Sequence, residues 1–149
     1  ETFLAQMTHW CLWIGILALP LTGLLHHSAA PGFAPILWPF GQTLPLVPAD
    51  EALALMFRRF HEMSGWLLMA ALALHVAGTL KHVLIDRDAT LGRMITGNAP
   101  PAPSGPQPRL GIAAALSIWF AIVLVALLTA PAPEADPFDD LPEELFPLD

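Results

Sequence analysis

Apolar residues fall into three long runs separated by polar, proline-rich stretches. The first extends from about Phe3 to Leu25, the second from about Phe60 to Leu84, and the third from about Leu110 to Ala130. A helix needs roughly 20 residues to cross about 30 Å of hydrocarbon, so the pattern predicts three membrane-spanning helices. Pro20 interrupts the first run near its end, in ALPLTG. A membrane helix tolerates this as a kink, with Thr22 placed to satisfy the freed backbone groups. Residues 28–57 read as a loop rich in Pro, Gly and Trp, apolar enough to fold back on the membrane surface and cover a site. Residues 96–109, TGNAPPAPSGPQPR, read as a linker without a core. Trp10, Trp13 and Trp66 fall near segment ends, where indoles anchor at the interface; apolar packing explains them equally well.

Composition agrees with a membrane protein. Of 149 residues, 55% are hydrophobic and 13% charged, about half the charged share of a soluble domain. The net charge of −7 is unevenly spread: residues 1–130 hold six acidic and six basic residues, and the last nineteen hold seven acidic residues and no basic one. A neutral membrane body thus carries an acidic, Pro-rich tail, and no basic surface offers itself to nucleic acid. Lys81, Arg87, Arg93 and Arg109 lie between the second and third runs, and the positive-inside rule makes that side cytoplasmic. The first loop and the tail are then periplasmic. Arg58 and Arg59 are the exception: they stand at the outer mouth of the second helix and call for an anionic partner, a bound ligand or a lipid phosphate. The single cysteine, Cys11, excludes an internal disulfide and a Cys-based metal site. The chain starts at Glu1 with no signal-like region ahead of the first run, and the expectation is a piece of something longer.

The second run, RRFHEMSGWLLMAALALHVAGTLKH, carries three histidines. His82, beside Lys81, marks where the helix leaves the membrane. His61 and His75 are fourteen residues apart, which on an α-helix is about 21 Å and about 40° short of four full turns. They share a face, one near each membrane surface, with Gly65, Leu68 and Leu72 between them and Thr79 beyond. A glycine beside the outer histidine lets a flat ring approach, and a porphyrin with one axial imidazole at each level fits this spacing. The propionates of an outer heme would answer Arg58 and Arg59. The plainer alternative is that each histidine hydrogen-bonds a neighbouring helix, and two on one face weigh against it. A metal site without a porphyrin lacks an Asp, Glu or Cys at depth; a proton relay stays open. His9 matches His75 in depth, and His26 and His27 match His61. Two histidines bridged by iron hold helix axes roughly 14 Å apart, against about 8–10 Å for packed neighbours. The opposing ligands are therefore expected from helices outside this sequence, with His9, His26 and His27 as interface or propionate contacts.

ALPLTGLL, FGQTLP, FHEMSGW, ALHVAGTLKH and IDRDATLGRM, in that order, resemble the second half of the prokaryotic cytochrome b561 family, over about residues 5–95. The resemblance implies a four-helix, di-heme b protein of the bacterial inner membrane that passes electrons between the periplasmic side and the quinone pool; superoxide oxidase is a member. It implies that the second helix here is the family's fourth, with His61 of FHE binding the outer heme and His75 of ALH the inner one. His9 matches a family histidine that is not an axial ligand. The other two ligands belong to the family's first and second helices, which have no counterpart in this sequence. The third run and acidic tail resemble longer members in which an added helix leads to a periplasmic, lipocalin-like YceI domain.

The expectation is an all-α integral membrane protein. Residues 1–95 form helices three and four of a cytochrome b561-type bundle, 96–109 a linker, 110–130 an extra transmembrane helix and 131–149 a periplasmic tail. Its cofactors would be heme b at two sites, bound by His61 and His75 with Arg58, Arg59 and Gly65 alongside, and ubiquinone. Its partners would be membrane lipid, quinone, and the missing helices or another membrane subunit. Its chemistry would be that of an electron carrier of the superoxide:quinone oxidoreductase type. The rival readings are a heme-free accessory or anchoring subunit, and a tether for a periplasmic lipid-binding domain.

Overall fold

A computed structural model describes residues 2–32, 44, 46–98 and 109–134. Three long helices make up its body: α1 (Thr2–Ala29), α2 (Glu51–Lys81) and, after the short α3 (Thr90–Thr96), α4 (Leu110–Thr129). All three are long and apolar enough to cross a membrane, which makes this a multi-pass membrane protein. α1 continues through Pro20. Thr22 Oγ1 donates to the Ala18 carbonyl at 2.8 Å or that of Leu19 at 3.0 Å, whereas the carbonyl left without its helical N–H by Pro20 is that of Ile16, so Thr22 does not make the expected compensation.

The second helix begins nine residues ahead of Phe60, and the expected 28–57 loop is correspondingly short: Ser28 and Ala29 are still α1, and residues 51–57 already α2. The cause is a polar start signal that a count of apolar residues misses. Asp50 is the N-cap, its Oδ1 accepting the Leu53 N–H at 2.7 Å, and Glu51 adds negative charge where the helix dipole is positive. Asp50→Ala should cost about 1 kcal/mol, seen as a lowered melting point in detergent; an unchanged melt would mean the cap is idle. The chain before it returns to the end of α1, with Asp50 N–H donating to Ala29 O at 2.9 Å and Leu44 N–H to Ser28 Oγ at 3.4 Å. The FGQTLP stretch otherwise lies outside the described residues, as do residues 99–108 of the linker and 135–149 of the tail.

α1 and α2 form an antiparallel pair, and α4 packs on both. Gly111, in the first turn of α4, abuts Gln6 and Met7, while Thr129 in its last turn accepts from Arg59 Nε at 3.2 Å. α4 is therefore parallel to α1. The buried centre joins Cys11, Ala71 and Ala115, flanked by Met7, Leu12 and Ile118. Small residues dominate because close backbone approach, rather than the hydrophobic effect, drives helix association in lipid. At Gly15 a Cβ would stand 2.8 Å from Leu68 Cδ1 and 3.4 Å from Trp119 Cζ2, so all three helices meet there. Trp13 and Trp66 are 71% and 78% exposed and face outward from the bundle.

The inner end of α2 closes through a π turn, His82–Asp86, terminated by Arg87 in the left-handed region at φ 51°. This bend carries the chain away to α3.

Candidate functional site

His61 and His75 both meet α1, one at each end. At the outer end, His61 Nδ1 lies 3.0 Å from the Leu19 carbonyl and 3.1 Å from Thr22 Oγ1. A carbonyl oxygen only accepts, so Nδ1 must carry the proton. In the neutral ring the lone pair then sits on Nε2, the nitrogen left for a ligand. The ring also presses on α1 where it lacks a side chain: a Cβ on Gly23 would stand 3.4 Å from His61 Cε1. Gly65, one turn along, faces Leu19, whose Cδ1 would be 3.7 Å from an added Cβ. What Gly65 admits here is a leucine of α1.

His26 makes the reverse connection, from α1 to α2. Its Nδ1 lies 2.9 Å from the Ala54 carbonyl and by the same reasoning donates to it. The two bonds are reciprocal: residues 19 and 26 on one helix pair with residues 61 and 54 on the other, seven residues or about 10.5 Å apart on each. The outer half of the pair is stapled by two imidazoles. His26→Ala should cost about 0.6 kcal/mol and at most about 1.7, the range for interhelical hydrogen bonds in membranes. Detergent unfolding of this variant checks that, and a loss beyond the range would give His26 a second task. The His27 ring lies beside that of His26, with centroids 5.9 Å apart and planes tilted by 58°.

At the inner end the helices leave a groove of about 530 Å³. Its walls are apolar except for Thr8 and His9 from α1 and His75, Thr79, Lys81 and His82 from the α2 side. The His9 and His75 rings touch, with centroids 5.1 Å apart and planes tilted by 60°. His9 thus packs against His75 and does not stand off from it as a second axial ligand must. Thr79 Oγ1 donates to the His75 carbonyl at 3.0 Å.

Two ionic clusters flank these ends. Outside, Glu62 accepts from Arg58 Nε at 3.1 Å and lies 3.6 Å from Arg59 Nη1. The anionic partner that the two arginines call for is present within the chain, one turn along the helix. All three side chains are 40% exposed or more, so the pairs are weak and the guanidinium groups remain open to a further anion. Inside, His82 Nδ1 lies 3.1 Å from Asp86 and 2.9 Å from Asp88, and Lys81 Nζ lies 2.7 Å from Asp86. Sequence reading treated His82 as a boundary marker and missed this cluster, whose four-residue His–Asp spacing becomes a contact through the π turn.

The chain matches the family model described as prokaryotic cytochrome b561 over residues 1–97. Neither a curated protein nor a solved structure matches it.

Proposed function

The chain belongs to the prokaryotic cytochrome b561 family, and from that premise we propose that it carries electrons across a bacterial inner membrane between the periplasmic side and the quinone pool. Membership itself suggests heme-based transmembrane electron transfer. The observation that carries the reading is the placement of His61 and His75, fourteen residues apart on one helix that crosses the membrane. His61 keeps Nε2 for an axial bond to an outer heme b. His75 opens on a groove whose largely apolar walls suit a flat inner ring. Heme iron, when bound, supplies the one-electron chemistry; the chain's part is to hold the rings and set their potentials by ligation and burial. Arg58 and Arg59, and the FGQTLP loop, mark the outer region where quinone, superoxide or another periplasmic redox partner would meet the protein.

Each iron needs a second axial ligand. His9 packs against His75 and does not supply one. Coverage of the helices points to the source. The buried residues of α2 are Ala54, Ser64 and Ala71, while His61, His75 and Thr79 are only half-buried by α1 and α4. Lipid penalises exposed polar groups, so further helices cover α2. They belong to the same bundle or to another membrane subunit, and they supply the opposing histidines.

The His61–Leu19 bond also favours a second reading, in which the imidazoles only join helices of a heme-free accessory or anchoring subunit. A visible spectrum of the full-length protein in its native membrane separates the two. Split low-spin b-type bands on reduction are expected; a membrane rich in the protein with no Soret absorption would leave only the second reading.

A further inference from the structure

The bond between α2 and α1 at the outer end has more structure than helix association requires. Three features of α1 converge on one ring edge: the Leu19 carbonyl at 3.0 Å, Thr22 Oγ1 at 3.1 Å and the bare backbone of Gly23. Thr22 is 2% exposed. Its hydroxyl hydrogen is directed to the Ala18 carbonyl at 2.8 Å or shared with that of Leu19, so a lone pair is left for the imidazole N–H. Among the described residues no comparable contact holds His75, whose ring meets that of His9.

We propose that Thr22, together with the Leu19 carbonyl, is the positioning element for His61, fixing its ring plane and its Nδ1-protonated form so that Nε2 faces the iron. This rests on the electron-carrier reading. A histidine bound to a metal through one nitrogen gains basicity when the other donates to a carbonyl or hydroxyl, and loss of such a partner typically weakens metal binding about 10–100-fold. A more basic imidazole favours ferric over ferrous iron, so the same contact lowers the potential of the outer centre. The absent side chain of Gly23 leaves room for that ring edge, because an added methyl would already be in contact with Cε1 at 3.4 Å and Nδ1 at 3.5 Å.

Thr22→Val keeps the volume and removes the oxygen. In the full-length protein in its membrane, this variant should hold the outer heme about tenfold less tightly and show a raised midpoint potential for that centre alone. Thr22→Ser should restore both. The control is His61→Ala. If it loses the outer heme while Thr22→Val keeps wild-type heme content and potential, the positioning role is wrong and the electron-carrier reading stands. If His61→Ala keeps both hemes, His61 is no ligand and the proposal goes with that assignment. Should Thr22→Val fail to accumulate, Gly23→Val, whose branched side chain would exceed the contact that a Cβ already makes with the ring, provides a second measurement. The low-spin electron paramagnetic resonance signal of the outer heme should shift as the ring turns, and an unchanged signal would overturn the proposal.

Discussion

His61→Ala should remove one heme from each full-length molecule and leave the other, and His75→Ala should do the converse. Heme content by pyridine hemochrome would fall by half in each single variant and to nothing in the double. The reduced-minus-oxidised spectrum would lose a different component of the split band in each case. The helix itself should survive, because alanine is the best helix former and the cross-helix bond lost with His61 is worth about 0.6 kcal/mol, at most about 1.7. Heme loss would therefore report a missing ligand rather than an unfolded bundle. Full heme content in both variants would refute the ligand assignment.

Gly111→Leu should lift the inner end of α4 off α1. A Cβ at this position would stand 2.7 Å from Gln6 Cβ and 3.1 Å from the backbone nitrogen of Met7. The main chain has no rotamer with which to retreat, so the helices must part. Overpacking costs about 1–3 kcal/mol, and leucine adds three carbons beyond the first. Cys11 reports the result, since it is 3% exposed and packed with Ala115 one turn further along the α4 seam. A membrane-permeant maleimide should label it slowly in the wild type and quickly in the variant. Equal labelling rates with an unchanged melt would mean that α4 is not seated through Gly111. Gly65→Ala is the contrast, with ordinary contact at 3.7 Å and little effect expected on stability.

The three spans were legible because membrane helices announce themselves by length and apolar content, which depend on no tertiary contact. The His61–His75 relation was legible for a similar reason: helical period alone places residues fourteen apart on one face. Other features depend on contacts that periodicity does not encode. The start of α2 rests on the Asp50 cap, a polar signal outside the apolar run. The role of His26 depends on which carbonyl faces it across the pair. Glu62 answering Arg58 and Arg59 is an i,i+4 and i,i+3 relation that was readable in RRFHE and was passed over for an external anion. The contact that Gly65 makes with Leu19 is another relation that periodicity does not encode. The heme-ligand roles themselves rest on motif and geometry, and the variants above test them.

Gly111 beside Gln6 and Thr129 beside Arg59 make α4 a third crossing, and an odd number of crossings has a consequence for biogenesis. A hairpin of α1 and α2 alone would return its ends to one face. With α4 parallel to α1, Thr129 stands at the end of the bundle opposite Thr2, so inserting α4 would carry its C-terminal end across the bilayer. Residues 130–149 carry no lysine or arginine, whereas Arg87, Arg93 and Arg109 precede α4, and by the positive-inside rule those arginines would hold its start in the cytoplasm. The charge pattern around this helix would then act as an export instruction. A single arginine cluster placed after Ala130 should compete with it, trapping α4 on the wrong side and leaving the α1–α2 pair without its third wall.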